Sequence, residues 1–370
     1  MNTVRCAIIG IGSMGKKYAQ MIGGGKIEGL NLSAVCCRSP ENADWAKKNL
    51  PETVEICRSE DELYKKQSLF DAVIIVTPHK CHPAMSIRAL NAGKHVMCDK
   101  PAGATVADAL KINEVASRTD RIYAMMCHQR TYPQYIKIKE LLNSHSIGRI
   151  TRIMLENSSF FRTRFYHKSG SWRSSWKGEG GGALINQGYH LLDMWLYLFG
   201  LPKSLYACIP FGKYNDFQVD DEATVLMEYP QKVTGTFTIS TGEGASTERL
   251  EIIGTKGRIL LEGTKLTLSE FDCDTTEYAK VAYVTSREEL KESRRVYDFE
   301  EICNAYEIML KNFAKAILYK EKVIAPGRES ADVLSLVNGA YLSAWKGKKV
   351  TLPLDNAEYL SELQKKEKSE

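Results

Sequence analysis

Long apolar runs are missing from this sequence. None approaches the ~18 residues that a membrane-spanning helix needs, so no membrane partner is expected. A dominant charge of one sign is missing too. The 50 Lys+Arg are nearly matched by 45 Asp+Glu, for a formal charge of +5. A dedicated nucleic-acid binder would carry a concentrated basic stripe, so no nucleic-acid partner is expected either. The start, Met1-Asn2-Thr3-Val4-Arg5, lacks the layout of a signal peptide. Among the 10 cysteines there is no Cys-x-x-Cys pair, and their spacing fits no zinc module. These absences predict a cytoplasmic protein with reduced thiols and no metal. His79, Cys81, His82, Cys98, Cys127 and His128 fall near expected strand ends, but loop and core packing explains them more simply than a metal does. Internal repeats and low-complexity tracts are also absent. What is present is ordinary globular usage, 44% hydrophobic and 26% charged over 370 residues, enough for about two or three domains.

The first third alternates strand and helix patterns. Segments 4–9, 32–37, 54–57, 71–76, 95–98 and 122–126 read as strands, and the run at 71–76 is apolar enough to be covered on both faces. Between them lie helical stretches from Met14, over 40–49 with Ser39 as N-cap and Pro40 at N1, over 82–91 with Gly93 just beyond, and over 105–117. This alternation predicts a parallel sheet with helices on both faces. After Gly148 the connections shorten. Strands are expected at 149–157, 204–209, 223–229, 233–240, 249–253, 258–261 and 266–269, in a largely antiparallel sheet interrupted by one helix over 182–199. Segment 272–300 reads as a long surface connection, 302–318 and 329–345 as helices, and the charged end after Ala357 as a fraying tail.

Gly10-Ile11-Gly12-Ser13-Met14-Gly15 has the G-x-G-x-x-G spacing between an expected strand and an expected helix. The first glycine suits the tight turn, the second a close approach to pyrophosphate, and the third helix–strand packing. Backbone N–H groups at the helix start bind the anion. A plain strand–helix turn is the alternative, and the βαβ setting argues against it. The end of the second strand, where an NAD enzyme often places Asp or Glu for the ribose, reads Cys37-Arg38-Ser39. An arginine and a hydroxyl without a carboxylate fit a 2′-phosphate, so the cofactor is NAD or NADP with a lean to NADP. The competing reading is that Arg38 stacks on adenine and NAD is used.

Cys98-Asp99-Lys100-Pro101 follows the fifth strand and resembles the Glu-Lys-Pro signature of the Gfo/Idh/MocA oxidoreductases, the glucose–fructose oxidoreductase and inositol dehydrogenase family. Thr77-Pro78-His79-x-x-His82 resembles that family's threonine-proline loop, and residues 181–193 its second signature. The resemblance runs to about Leu354 and includes a sugar 3-dehydrogenase-like branch. It implies an α/β N-terminal Rossmann domain over 1–130, then an α+β domain over 131–354 with a large, mostly antiparallel open sheet. The helices over 302–346 are expected to pack back on the Rossmann domain, with a charged tail over 355–370. It also implies a homodimer or homotetramer formed through the second sheet.

By the same resemblance Lys100 is the catalytic lysine, a donor to the reacting oxygen. Pro101 fixes the turn and is a candidate for a cis bond. His190 is the general base, with a pKa of about 6.5 before perturbation. Asn186 lies four residues earlier, on the same helix face as His190. Many members carry Asp where this chain has Asn186, and a neutral amide holds a hydroxyl but takes no proton. Thr77, Pro78, His79, His82, Asp99 and Lys100 are expected at the cofactor with the glycine loop. An isolated helical histidine is more often structural; Lys100, the glycine loop and the Asn-x-x-x-His spacing together tip His190 toward catalysis. Asp193, one turn on, is expected to pack.

Segment 160–177 is rich in aromatic and basic side chains, among them Arg164, Trp172 and Arg173. It suits a sugar's C–H face and hydroxyls as well as it suits a subunit contact. Arg130 and Tyr132 are expected near the pocket mouth. The activity implied is hydride transfer between nicotinamide and a ring carbon, C3 by resemblance, of a sugar, glycoside or cyclitol. Two alternatives stay open: a redox-assisted glycosidase working through a transient 3-keto sugar, and a catalytically silent dinucleotide-binding protein.

Overall fold

Short runs of β-branched and small apolar residues build the first sheet. In the computed structural model, which describes residues 3–287 and 290–370, these are β1 (Val4–Ile9), β2 (Leu30–Cys36), β3 (Glu55–Cys57), β4 (Ala72–Ile75), β5 (His95–Cys98) and β6 (Tyr123–Met125). All pair in parallel, in the order β3-β2-β1-β4-β5-β6. The strand order reverses between β1 and β4, so the carboxyl ends of those strands form the crevice where such sheets take ligands. Every residue of β4 is buried, as its unbroken apolar run demands. Local signals set the helix ends. Ser39 caps the helix Pro40–Asn49 through the N–H of Asn42, and Thr105 with Asp108 forms a capping box on the helix Val106–Ala116.

This sheet belongs to a unit comprising Met1–Thr131, Gly178–Gly180 and Asn304–Leu334. The later segment joins by backbone: the Met125 N–H donates to the Ala325 carbonyl at 2.9 Å, and Ala124 bridges to Pro326. Cys6, Cys36 and Cys57 are buried strand residues, and burial pushes the Cys6 and Cys36 thiols up to about 12 and Cys57 to about 11. They pack as small hydrophobes.

The second unit comprises Tyr132–Lys177, Gly181–Cys303 and Ser335–Glu370. Its strands are β7 (Ile150–Asn157), β8 (Ser204–Cys208), β9 (Glu222–Glu228), β10 (Thr234–Ser240), β11 (Glu248–Gly254), β12 (Gly257–Glu262), β13 (Lys265–Phe271), β14 (Glu292–Asp298) and β15 (Val350–Thr351). The sheet order is β14-β13-β12-β11-β7-β10-β9-β8-β15, antiparallel except where β10 meets β7. Alternate residues such as Ile153, Leu155, Val225, Met227, Phe237 and Ile239 are buried. The helix Ala183–Phe199 covers that face, and Gly235 leaves room for the Trp195 ring. Among the described residues no helix is long and apolar enough to cross a membrane.

Two expectations change. Segment 272–300 carries the helix Thr275–Val281 and the edge strand β14, while residues 288–289 lie outside the described residues. β14 escapes notice because almost all of it is exposed and polar; its backbone ladder to β13, not an apolar face, makes it a strand. The C-terminal tail does not fray. Asp355 caps a helix over Asn356–Ser369, Tyr359 and Leu363 are buried, and the Glu370 carboxylate accepts from the N–H groups of Trp176 and Lys177 at 2.9 Å each.

Candidate active site

The glycine loop follows β1 directly. Gly10 has φ +99°, and a Cβ there would lie 2.4 Å from the Val76 carbonyl oxygen. A Cβ on Gly15 would lie 1.9 Å from the Gly10 carbonyl oxygen. Gly12 is different: a Cβ added there meets nothing within 4 Å. The loop is therefore closed at its first and third glycines and open at the second, the side a pyrophosphate needs. The helix Ser13–Gly23 has no side-chain cap, so the N–H groups of its first turn, including those of Ser13 and Met14, keep their capacity for an anion. These features fit a dinucleotide. Cys37, Arg38 and Ser39 follow β2 at the adjacent strand end; Cys37 is buried and Arg38 exposed.

Beyond β4 and β5 the chain is braced. His82 is buried, with Nδ1 2.6 Å from the Pro101 carbonyl oxygen and Nε2 2.7 Å from that of Thr77. Burial pushes its pKa down, against the pull of those two carbonyls and Asp99. With both ring nitrogens so engaged, His82 ties the Thr77-Pro78 turn to the Lys100–Pro101 turn, whose peptide is cis. His79 is also buried, its Nδ1 3.2 Å from the Glu179 carbonyl oxygen.

Asp99 does similar work one residue before the lysine. Its Oδ1 accepts from the Lys100 N–H at 2.8 Å and its Oδ2 from the Tyr18 hydroxyl at 3.3 Å. Burial holds its carboxyl above the usual range. Oδ1 thus fixes the backbone that presents Lys100, and Oδ2 ties the carboxylate to Tyr18. Burial, followed by the charges of Lys100 and Lys17, lowers the pKa of His128 to about 4. Its neutral ring stacks on Tyr306 at 4.3 Å.

Arg130 is buried, and its Nη1 donates to Glu329 Oε2 at 2.6 Å and to the Ile324 carbonyl at 3.3 Å, which ties down the returning segment. Tyr132 stacks on Tyr135 with centroids 6.3 Å apart.

The second unit presents Asn186 and His190. From Gly181 to Trp195 every residue is buried except these two, which are half-buried one turn apart. Asp193 is buried, as expected of a packing residue. The helix is anchored by a residue that no motif signals. Asp220 Oδ1 accepts from the Gly182 N–H (2.8 Å) and the Tyr341 hydroxyl (2.7 Å), and its Oδ2 from the Leu184 N–H (2.6 Å). Its carbonyl accepts from the Ala183 N–H at 2.8 Å. A Cβ on Gly182 would lie 1.9 Å from that carbonyl oxygen, so the glycine is needed for the anchor. Burial raises the Asp220 carboxyl pKa.

Tyr166 organises the loop beside this helix. Its hydroxyl accepts from Arg173 Nη1 (2.8 Å), Asn186 Nδ2 (3.2 Å) and Gln187 Nε2 (3.0 Å). The guanidiniums of Arg162 and Arg173 lie 4.6 and 4.5 Å from its ring centroid, and Arg173 also lies 4.6 Å from the Trp172 ring. The structure thus brings Trp172, Arg173 and Asn186 together through Tyr166, and leaves Arg164 exposed. Among the described residues, the metal-type ligand atoms that converge belong to Glu55, Cys57 and Glu62, away from the histidines, and there the Lys66 ammonium sits 2.7 Å from Glu55.

Comparison with known proteins bears on the family and the fold. Residues 4–127 match the profile of an oxidoreductase family with an NAD-binding Rossmann fold, and residues 135–260 match the GFO/IDH/MocA C-terminal domain. An uncharacterized oxidoreductase of Schizosaccharomyces pombe is 31% identical over 173 residues, 46% of this chain and 46% of that protein. The scyllo-inositol 2-dehydrogenase (NADP+) IolU of Bacillus subtilis is 27% identical over 230 residues, 61% of this chain and 66% of that protein. The matched region thus spans 46% and 66% of these relatives' lengths. The WlbA dehydrogenase of Bordetella pertussis, solved with NADH and UDP-GlcNAcA, shares the fold with a TM-score of 0.79 at 20% identity, covering 96% of this chain and 100% of that one. With both of its domains matched in order, the chain belongs to the Gfo/Idh/MocA family of oxidoreductases with an NAD-binding Rossmann fold.

Proposed function

We propose that this chain is an NAD(P)-dependent dehydrogenase acting on a ring carbon, C3 by preference, of a sugar, glycoside or cyclitol. The observation that carries this reading is the Asn186–His190 pair, two polar side chains left half-buried on a helix face otherwise sealed into the core. A purely structural helix has no use for such a pair, whereas a general base and a hydroxyl-orienting amide need both access and a rigid mount.

In the direction of oxidation His190 takes the hydroxyl proton, Lys100 donates to the oxygen as charge develops on it, and Asn186 holds the hydroxyl. Asp99 positions Lys100, and Asp220 positions the helix. Gly10, Gly12, Ser13, Met14 and Gly15 hold the pyrophosphate, with Thr77, Pro78 and His79 beyond β4 completing the cofactor site. Bound there, the nicotinamide supplies or accepts the hydride. Arg38 and Ser39, with no carboxylate in the Cys37-Arg38-Ser39 turn, favour NADP(H), the cofactor named for the Bacillus relative. Trp172 and Arg173, held by Tyr166 beside Asn186, line the sugar side.

We also propose self-association through one face of the second sheet. Register runs Tyr206, Leu226, Thr236, Met154, Glu251, Leu260, Thr267, Val296 across its strands on that face. Tyr206, Leu226 and Val296 are exposed there, which suits a partner surface.

The test is a panel of glycosides, inositols and nucleotide sugars with both cofactors, following absorbance of reduced nicotinamide. Turnover of one class is expected, and silence across the panel sinks the reading. Release of aglycone without net reduced cofactor points instead to the redox-assisted glycosidase.

A further inference from the structure

Arg58 follows β3 as Arg38 follows β2, and these strands are neighbours. Cys36 pairs with Cys57, and the Cys37 N–H donates to the Cys57 carbonyl at 3.0 Å. Beyond the last pair, Arg58 Nη2 donates to the Arg38 carbonyl oxygen at 2.7 Å. The Arg58 guanidinium therefore supports the same turn that carries Arg38 and Ser39.

Of the eight arginines in this unit, Arg5, Arg88, Arg118, Arg121 and Arg130 each pair with a carboxylate. Arg38 and Arg58, both exposed, are without a carboxylate at salt-bridge distance among the described residues, as is Arg328 in the returning segment. Of the acidic side chains nearby, Glu62 accepts from the Arg58 backbone N–H at 2.7 Å and lies 3.7 Å from Lys66. Glu60 is half-buried, and burial raises its carboxyl against the charges of Arg88 and Arg38. The Ser39 hydroxyl accepts from the Asn42 N–H at 3.4 Å, which leaves its proton to donate.

Two guanidiniums without carboxylate partners and a hydroxyl donor, carried by the adjacent ends of β2 and β3, suit a dianion more than a ribose hydroxyl. A neutral hydroxyl gains little from a second positive charge, whereas phosphate takes several N–H donors at once. We propose that Arg58 is the second arginine of a 2′-phosphate site completed by Arg38 and Ser39, and that it sets the preference for NADP(H) over NAD(H). This rests on the NADP reading given above. It adds a residue from the third strand, where dinucleotide fingerprints, read from the first two strands, do not look.

The test uses the full chain and equilibrium binding, by the fluorescence of NADPH and NADH, with 2′-AMP and 5′-AMP as competitors. The wild type should bind NADPH more tightly than NADH and prefer 2′-AMP to 5′-AMP. Arg58→Ala should weaken NADPH and 2′-AMP about tenfold while moving NADH far less, with Arg58→Lys in between. The remaining NADH binding reports that the variant is folded. If the wild type shows no preference for NADPH, the NADP reading falls and this site with it. If the wild type prefers NADPH and Arg58→Ala keeps the full preference while Arg38→Ala loses it, Arg58 has no part in the site and the NADP reading stands.

Discussion

Asn186 and His190 stand one turn apart on the helix Ala183–Phe199, and from Gly181 to Trp195 they are the two side chains that are not buried. This fixes their mutual geometry on a rigid element whose first turn is tied to Asp220 through three backbone N–H groups. A base mounted in this way should lose function on truncation without loss of the fold. His190→Ala should lower kcat about 10²- to 10⁴-fold, and its remaining activity should rise with pH as hydroxide replaces the base. An unchanged pH–rate profile would remove His190 from that role.

Lys100 is presented by a turn that Asp99 and His82 hold from two sides. Lys100→Met should lose about 10²- to 10³-fold in kcat, the size expected when one donor to a developing oxyanion is removed. Asp99→Asn, which keeps the side chain's shape, should be milder and act through position. Near-normal kcat in Lys100→Met would overturn the assignment.

Asp220 should matter to stability more than any motif residue. Asp220→Ala leaves the Tyr341 hydroxyl and the N–H groups of Gly182 and Leu184 without their carboxylate in a buried site, a cost of about 1–3 kcal/mol or more. Tyr341→Phe removes one donor and should cost less. Thermal unfolding of the two variants against wild type checks the order, and equal Tm values would show that the anchor is idle.

Acid should weaken the first unit through His128. Its folded pKa of about 4 lies below the ordinary value of 6.5. The unfolded chain therefore binds the extra proton between those values, and stability falls as pH drops from about 6.5 toward 4. His95, also lowered to about 4, works in the same sense, and Asp99, raised by burial, in the opposite one, so the comparison must be made against a variant. His128→Gln should have an acid-induced fall in Tm that is smaller by about 2–4 °C, and parallel curves for both proteins would contradict this.

The sequence shows best what is local and periodic. The glycine spacing, the Ser39 cap, the buried run of β4 and the strands β7 to β13 of the second sheet all carry their signals within a few residues. The Asn186–His190 pair is legible for the same reason, since four residues set a shared helix face. Partners distant in the chain are not legible. Asp220 meets Gly182 across 38 positions and Tyr341 across 121, and Arg58 meets Arg38 through a carbonyl 20 residues away. Nothing in the neighbourhood of Arg130 predicts its partner Glu329, 199 positions on. The terminal helix is not legible either, because its charge suggests fraying, whereas Tyr359, Leu363 and Glu370 dock it.

Isotope transfer tests the proposed chemistry most directly. A substrate from the panel, deuterated at C3, is turned over with oxidised NADP, and the reduced cofactor is examined by mass spectrometry and proton NMR. One deuterium at C4 of the nicotinamide, with about 10²- to 10⁴-fold slower transfer by His190→Ala, is the predicted result. Reduced cofactor that carries no deuterium would contradict hydride transfer from that carbon.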